Sequence, residues 1–137
     1  VLDLGASPGG WSRIARLHGL AVVAVDPAAL AGQLATDTGV RYIQEIAQNY
    51  LRETNETFAV ILNDMRMDAQ VSAQLMVEAA RNLQAGGWAL LTLKLPKHGA
   101  NEAVTAALAR LGQVYELIGA RQLFHNRSEV TVALRPR

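Results

Sequence analysis

Short, fully apolar runs alternate with helix-patterned segments along this chain, and that alternation restricts the fold more than any other feature. Residues 21–25 read AVVAV, residues 58–62 FAVIL and residues 88–93 WALLTL. Runs of this length and composition suit strands buried on both faces of a sheet. Further strands are predicted over 1–4, 40–43, 114–118 and 129–134. Helices are predicted over 10–18, 28–35, 68–83 and 101–111, with one or two helical turns within 44–57. The 68–83 segment is the clearest: Val71, Leu75, Met76, Ala79 and Leu83 recur at helical spacing, and Gly86-Gly87 stops it. Strands that alternate with helices need crossovers, which make the sheet parallel. The last two strands have only a loop around 125–128 between them, so they pair as an antiparallel hairpin. The expected fold is α/β, a mostly parallel sheet with an antiparallel C-terminal strand.

The 137 residues suit a single domain, 1–137. Half are hydrophobic and 18% charged, which opposes disorder. The absence of cysteine excludes disulfide scaffolds, thiolate metal sites and thiol nucleophiles, and no metal site is predicted. No uncharged apolar run reaches the length of a membrane span and no leader pattern opens the chain, so a cytoplasmic location without membrane contact is expected. Val1 leads straight into a predicted central strand, so the chain reads as a fragment lacking its N-terminal part. The net charge of +1 is too small for a domain that grips nucleic acid by charge alone. Of the 13 basic residues only two are lysines, Lys94 and Lys97, both in the stretch LKLPK. A lysine at 94 can give up its proton, which an arginine cannot.

The opening VLDLGASPGGWS is a strand, a glycine turn and a helix start. Asp3 lies on the strand, and Gly5, Gly9 and Gly10 lead into the helix. Glycines let a ligand approach the backbone, and a helix N-terminus offers free N–H groups. Asp26 closes the next strand about 20 residues on, where a ribose diol is gripped in such frames. A dinucleotide site prefers G-x-G-x-x-G, whereas Ser7 holds the middle glycine's place here and Pro8 follows it. That disfavours a pyrophosphate and leaves a nucleoside-type ligand without one. The plainer alternative is a tight turn with no ligand.

DLGASPGGWS resembles motif I of the FtsJ-like ribose methyltransferases. NDM at 63–65 resembles the S/C-D-M of that family's fourth strand, and LKLP at 93–96 its lysine-bearing fifth strand. Residues 25–40 and 120–132 are similar to the RlmM branch, bacterial enzymes that 2′-O-methylate a cytidine of large-subunit ribosomal RNA. The likeness spans essentially the whole chain. It implies a Rossmann-like S-adenosylmethionine-dependent methyltransferase fold, S-adenosylmethionine as cofactor and large-subunit (23S) ribosomal RNA as partner. It also implies a separate RNA-binding region N-terminal to this domain. The cofactor set it implies is Asp3, Gly5, Ala6, Pro8, Gly9, Gly10, Trp11, Asp26, Glu45 and Asp64. Ile46 stands where the family usually has an adenine-binding Asp, leaving backbone groups or Glu45 for that contact.

The family's catalytic Lys-Asp-Lys-Glu set maps by motif onto Asp64, Lys94 and Glu129, and its first Lys lies upstream of motif I. One physical rule brings the three together independently. Ligands of open α/β sheets bind at the carboxyl edge of the parallel strands, and an antiparallel strand begins at that same edge. Lys94 then serves as base or as orienter of a ribose hydroxyl, with Asp64 and Glu129 positioning it. Each residue also has a plain structural reading: Asp64 as a turn cap, Lys94 as a solvated strand end, Glu129 as an edge charge.

Three rival functions share this frame: a non-catalytic RNA-binding or scaffold domain, a nicotinamide-dependent oxidoreductase, and a methyltransferase acting on a small molecule or protein. His125, Asn126 and Arg127 form the hairpin loop and are candidates for RNA contact, with Arg121 and Lys97 near the same edge. Trp11 reads as core packing or a stacking group. His18 and His98 read as surface or cap residues. Arg13, Arg16, Gln70, Gln74 and Glu78 read as solvated helix faces.

Overall fold

The computed structural model describes residues 1–122 and 128–137. The strands are β1 (Leu2–Leu4), β2 (Val22–Val25), β3 (Val40–Ile43), β4 (Phe58–Asn63), β5 (Leu83–Lys94), β6 (Tyr115–Arg121) and β7 (Glu129–Pro136). The helices are α1 (Gly10–Leu17), α2 (Ala47–Glu53), α3 (Ala69–Ala79) and α4 (Ala100–Leu111). One sheet holds all seven strands in the order β3-β2-β1-β4-β5-β7-β6. Strands β1 to β5 run parallel, and β7 is antiparallel to both β5 and β6. The expected parallel sheet with an antiparallel C-terminal strand is what the chain forms. The hairpin's connecting residues 123–127, including His125, Asn126 and Arg127, lie outside the described residues.

Each central strand splits its side chains between two layers. Val23 and Val25 of β2 join the core with α2, α3 and α4, while Val22 and Ala24 pack with Ala15 of α1 on the other face. Successive strand residues point to opposite faces, so an apolar run with no polar interruption results. The α1 layer is the thinner one. Beside α1 an apolar groove of about 540 Å³ remains, with Trp11, Ile14, Val60 and Trp88 in its walls. Among the described residues no helix is long and apolar enough to cross a membrane.

Two predicted helices are shorter than expected. Within 28–35 only Gly32–Ala35 turns, as a 3-10 helix. The groups a longer helix would use are taken: Ala28 N–H donates to Asp26 Oδ1, Ser7 Oγ donates to the Ala29 carbonyl, and Ala31 N–H donates to the Pro8 carbonyl. Tertiary bonds outweigh alanine's helix propensity there. The 68–83 helix ends at Ala79 and passes through a 3-10 turn at Ala80–Asn82. Asn82 is buried, its side chain donating to the Glu56 carbonyl at 2.8 Å. Gly86 and Gly87 therefore lie inside β5 rather than stopping a helix. A Cβ on Gly87 would press on the Ala59 carbonyl of β4, where the pairing of β4 and β5 is bulged.

Helix faces expected to be solvated also carry tertiary bonds. Arg16 Nε pairs with Asp37 Oδ2 at 3.0 Å, Gln70 donates to the Ala103 carbonyl, and Gln74 accepts from Arg110.

Candidate active site at the carboxyl edge of the sheet

Four strand ends of the sheet carry the acidic and basic groups of interest. The connections from β1 lead to one side of the sheet and those from β4 to the other, which opens a crevice between the two strands. Asp3 lies within β1, Asp26 directly follows β2, Asp64 directly follows β4, and Lys94 ends β5.

Asp3 is almost fully buried and accepts a 2.6 Å hydrogen bond from Ser12 Oγ. Its cap residue Gly9 has no side chain to offer, so α1 begins without a side-chain cap of its own. Asp3 supplies the acceptor from nine residues upstream, bonding both the hydroxyl and the backbone of Ser12 in the first turn. Burial pushes the Asp3 carboxyl up to about 6; the Ser12 hydrogen bonds oppose this, and the charges of Asp64 and Asp26 add to it. Three carboxylates therefore converge on one turn.

The glycine turn is tightly built. Gly5 has φ +74°, and a Cβ there would overlap Met65 of the β4–α3 turn. A Cβ on Gly9, at φ +127°, would overlap Leu34. At Gly10 a Cβ would meet nothing within 4 Å, so the helix start lies open to an approaching group. Ala6 is buried, its N–H donating to the Val25 carbonyl. Pro8 and Trp11 line the cavity that runs along α1 toward Leu34, and Trp11 also reaches the apolar groove against Val60.

Asp26 is pinned by its neighbours. Its Oδ2 accepts from Ser7 N–H at 3.0 Å and its Oδ1 from Ala28 N–H at 2.8 Å. Each oxygen keeps a further lone pair for a ligand hydroxyl. Glu45 turns onto the start of α2, where its Oε1 accepts from Ile46 N–H and Asn49 Nδ2. Ile46 beside it, at the start of α2, is 45% exposed.

Lys94 sits between two carboxylates, with Nζ 2.6 Å from Asp64 Oδ1 and 2.9 Å from Glu129 Oε1. Its side chain is 20% exposed, so the ion pairs are partly shielded yet open at one side. Among the described residues two carboxylates engage the ammonium, which carries three protons. The pairing register makes this arrangement, because Lys94 of β5 lies directly opposite Glu129 of β7. Asp64 is held by its turn: buried Asn63 accepts from Met65 N–H at 3.0 Å and donates to Ser72 of α3 at 3.1 Å. The cap of α3 is Asp68, whose Oδ1 accepts from Gln70 and Val71 N–H, so capping does not explain Asp64. Ser12 and Asn63 are the supporting residues that sequence reasoning did not single out. Both look like ordinary polar residues until the fold buries them. Among the described residues no cluster of His, Asp and Glu is arranged to hold a metal ion.

The sequence model of the FtsJ-like methyltransferases matches residues 1–126. The ribosomal RNA large subunit methyltransferase M of Halorhodospira halophila is 37% identical over 98% of this chain and 39% of its own length. The ribosomal RNA large subunit methyltransferase E of a Wolbachia species is 38% identical over 60% of this chain and 41% of its own length. The chain thus spans about two-fifths of the curated relatives it matches. Among solved structures, the Methanococcus jannaschii fibrillarin pre-rRNA processing protein superposes with a TM-score of 0.72 at 19% identity, over 98% of this chain and 65% of that one. The N-methyltransferase NodS of Bradyrhizobium japonicum, in complex with S-adenosylhomocysteine, gives 0.73 at 11% identity over 98% and 76%. These two likenesses show a Rossmann-like α/β fold.

Proposed function

This chain belongs to the FtsJ-like methyltransferase family, and on that premise we propose that it transfers a methyl group from S-adenosylmethionine to a ribose 2′-hydroxyl of large-subunit ribosomal RNA. The carrying observation is Lys94 held between Asp64 and Glu129 at the carboxyl edge. The proposal includes an RNA-binding region N-terminal to this domain in the whole protein, as well as a cytoplasmic location.

The crevice suits that cofactor. S-adenosylmethionine, when bound, supplies an electrophilic methyl group on a positively charged sulfur and carries no phosphate. Asp3, Asp26 and Asp64 favour a cation and oppose a pyrophosphate. Asp26 would hold the cofactor's ribose hydroxyls, Gly9 and Gly10 would let it approach the start of α1, and Ile46 would pack beside the adenine. These features support a methyl donor over a nicotinamide dinucleotide.

Lys94 is then the catalytic residue: it is held between Asp64 and Glu129 at the carboxyl edge and is 20% exposed, which supports a ribose hydroxyl approaching its ammonium. The ammonium donates to the hydroxyl oxygen and fixes the direction of its remaining lone pair. Asp64 and Glu129 fix the ammonium in turn. In this arrangement Lys94 first orients, and it accepts the hydroxyl proton only after passing one of its own to solvent at its open side.

The test is Lys94→Ala in the full-length protein, assayed for methyl transfer to unmodified ribosomal RNA and for cofactor affinity by calorimetry. The expected result is loss of transfer with cofactor affinity retained. Retained transfer would overturn the assignment.

A further inference from the structure

The sheet register carries one inference about how RNA is held, which rests on the reading above. Arg121 ends β6 and lies directly opposite Thr131 of β7. Thr131 is two residues beyond Glu129 on the same strand, and Glu129 is opposite Lys94. Residues two apart on a strand, and residues directly opposite across a pair, share a face of the sheet. Arg121, Thr131, Glu129 and Lys94 therefore stand on one face. Strand spacing and rise put the Cα of Arg121 about 12 Å from that of Lys94.

The other arginine on this face, Arg135, is tied to Glu116 at 2.8 Å, and Arg16 and Arg41 are tied to Asp37 and Glu56. Arg121 is exposed on the sheet's edge strand and has no ion-pair partner among the described residues. A guanidinium left solvated beside a site for a polyanion is suited to a phosphate, which it meets with two parallel hydrogen bonds.

We propose that Arg121 binds a backbone phosphate flanking the target ribose and so positions the RNA strand across Lys94 and Glu129. It is a positioning residue, since it reaches the phosphate and not the reacting hydroxyl. Each phosphate contact contributes to the salt dependence of binding, so the loss of one should be measurable as a change of slope.

The test uses Arg121→Gln and Arg121→Lys in the full-length protein, with Arg52→Gln on α2, beside Glu78 and Arg81, as a control for lost charge. Affinity for unmodified large-subunit ribosomal RNA is measured across a salt series, with cofactor affinity followed by calorimetry. Arg121→Gln should weaken RNA binding by about tenfold at low salt and reduce the log–log salt slope by about one. Arg121→Lys should keep the slope, and Arg52→Gln should change neither quantity. Cofactor affinity should stay unchanged throughout. Equal effects of Arg121→Gln and Arg52→Gln would overturn the proposal while leaving the methyltransferase reading intact. Failure of the full-length protein, with its N-terminal region, to bind the RNA at low salt would overturn both.

Discussion

Lys94 and Glu129 are direct cross-strand partners: the last residue of β5 faces the first residue of β7, and their charged ends lie 2.9 Å apart. The antiparallel strand thus delivers a carboxylate to an edge otherwise built from the ends of parallel strands. Glu129→Gln keeps the shape and removes the charge. Methyl transfer should fall by about a hundredfold, the order expected when an orienting group is misplaced. Single-turnover assays at saturating cofactor would measure it, and an unchanged rate would show that Asp64 alone positions Lys94.

Lys94→Arg separates orientation from proton acceptance. A guanidinium can donate to a hydroxyl but stays charged at any working pH. Transfer should be lost in this variant, with cofactor affinity preserved. Substantial activity would eliminate proton acceptance and leave orientation as the whole role.

Asp26→Ala should weaken cofactor binding by one to two decades, at about 1.5–3 kcal/mol for hydrogen bonds to a charged group. The same change frees the N–H groups of Ser7 and Ala28, which now donate to Asp26. Asp26→Asn keeps an acceptor for one of them and should lose less. Calorimetry on both variants would decide, and unchanged affinity in Asp26→Ala would remove the ribose grip from the proposal.

Much of this was legible in the sequence because the central strands are buried on both faces and so are written as unbroken apolar runs. The hairpin was legible because its strands lack a helix between them. What remained hidden depends on groups distant in the chain. The 28–35 segment reads as helical, yet Asp26, Ser7 and Pro8 capture its backbone. Asn82 reads as a helix residue, yet its amide reaches the Glu56 carbonyl and ends α3 early. The Asp3–Ser12 bond is invisible because a helix cap is sought beside the helix, not in a strand nine residues upstream. For the site, strand-end spacing placed Asp64, Lys94 and Glu129 at one edge, but only the register shows how tightly Lys94 is held.

Gly5→Ala tests the packing of the turn against Met65. The added methyl overlaps Met65 Cγ and sits at φ +74°, so two penalties arise. Together they should cost about 2–4 kcal/mol in denaturant unfolding. Measured against Met65→Ala as the reference, which carries its own packing loss, Gly5→Ala should lose the overlap part and cost about 1 kcal/mol of backbone strain. Equal stability of Met65→Ala with and without Gly5→Ala would mean that the positive φ carries no cost here.

The Asp3 carboxyl makes stability depend on pH with a defined sign. Its value in the folded chain is pushed up to about 6, chiefly by burial, while the unfolded chain leaves it in the ordinary carboxylate range. The folded state therefore holds the proton more tightly than the unfolded state does. The favourable contribution is complete below about pH 4 and is lost as pH rises through about 6. A shift of about two units corresponds to about 3 kcal/mol of stability lost between those limits. Asp3→Asn cannot ionise, and its amide oxygen can still accept from Ser12 Oγ. Relative to Asp3→Asn, the wild-type chain should therefore lose stability between about pH 4.5 and 7.5, by up to that amount. Urea unfolding of the two proteins at both pH values would measure the difference, which cancels the titration of other acids such as Asp37 and Glu56. A difference that stays constant across this range would show that Asp3 is not protonated in the folded chain near pH 5, and that its place beside Asp26 and Asp64 is less shielded than its burial indicates.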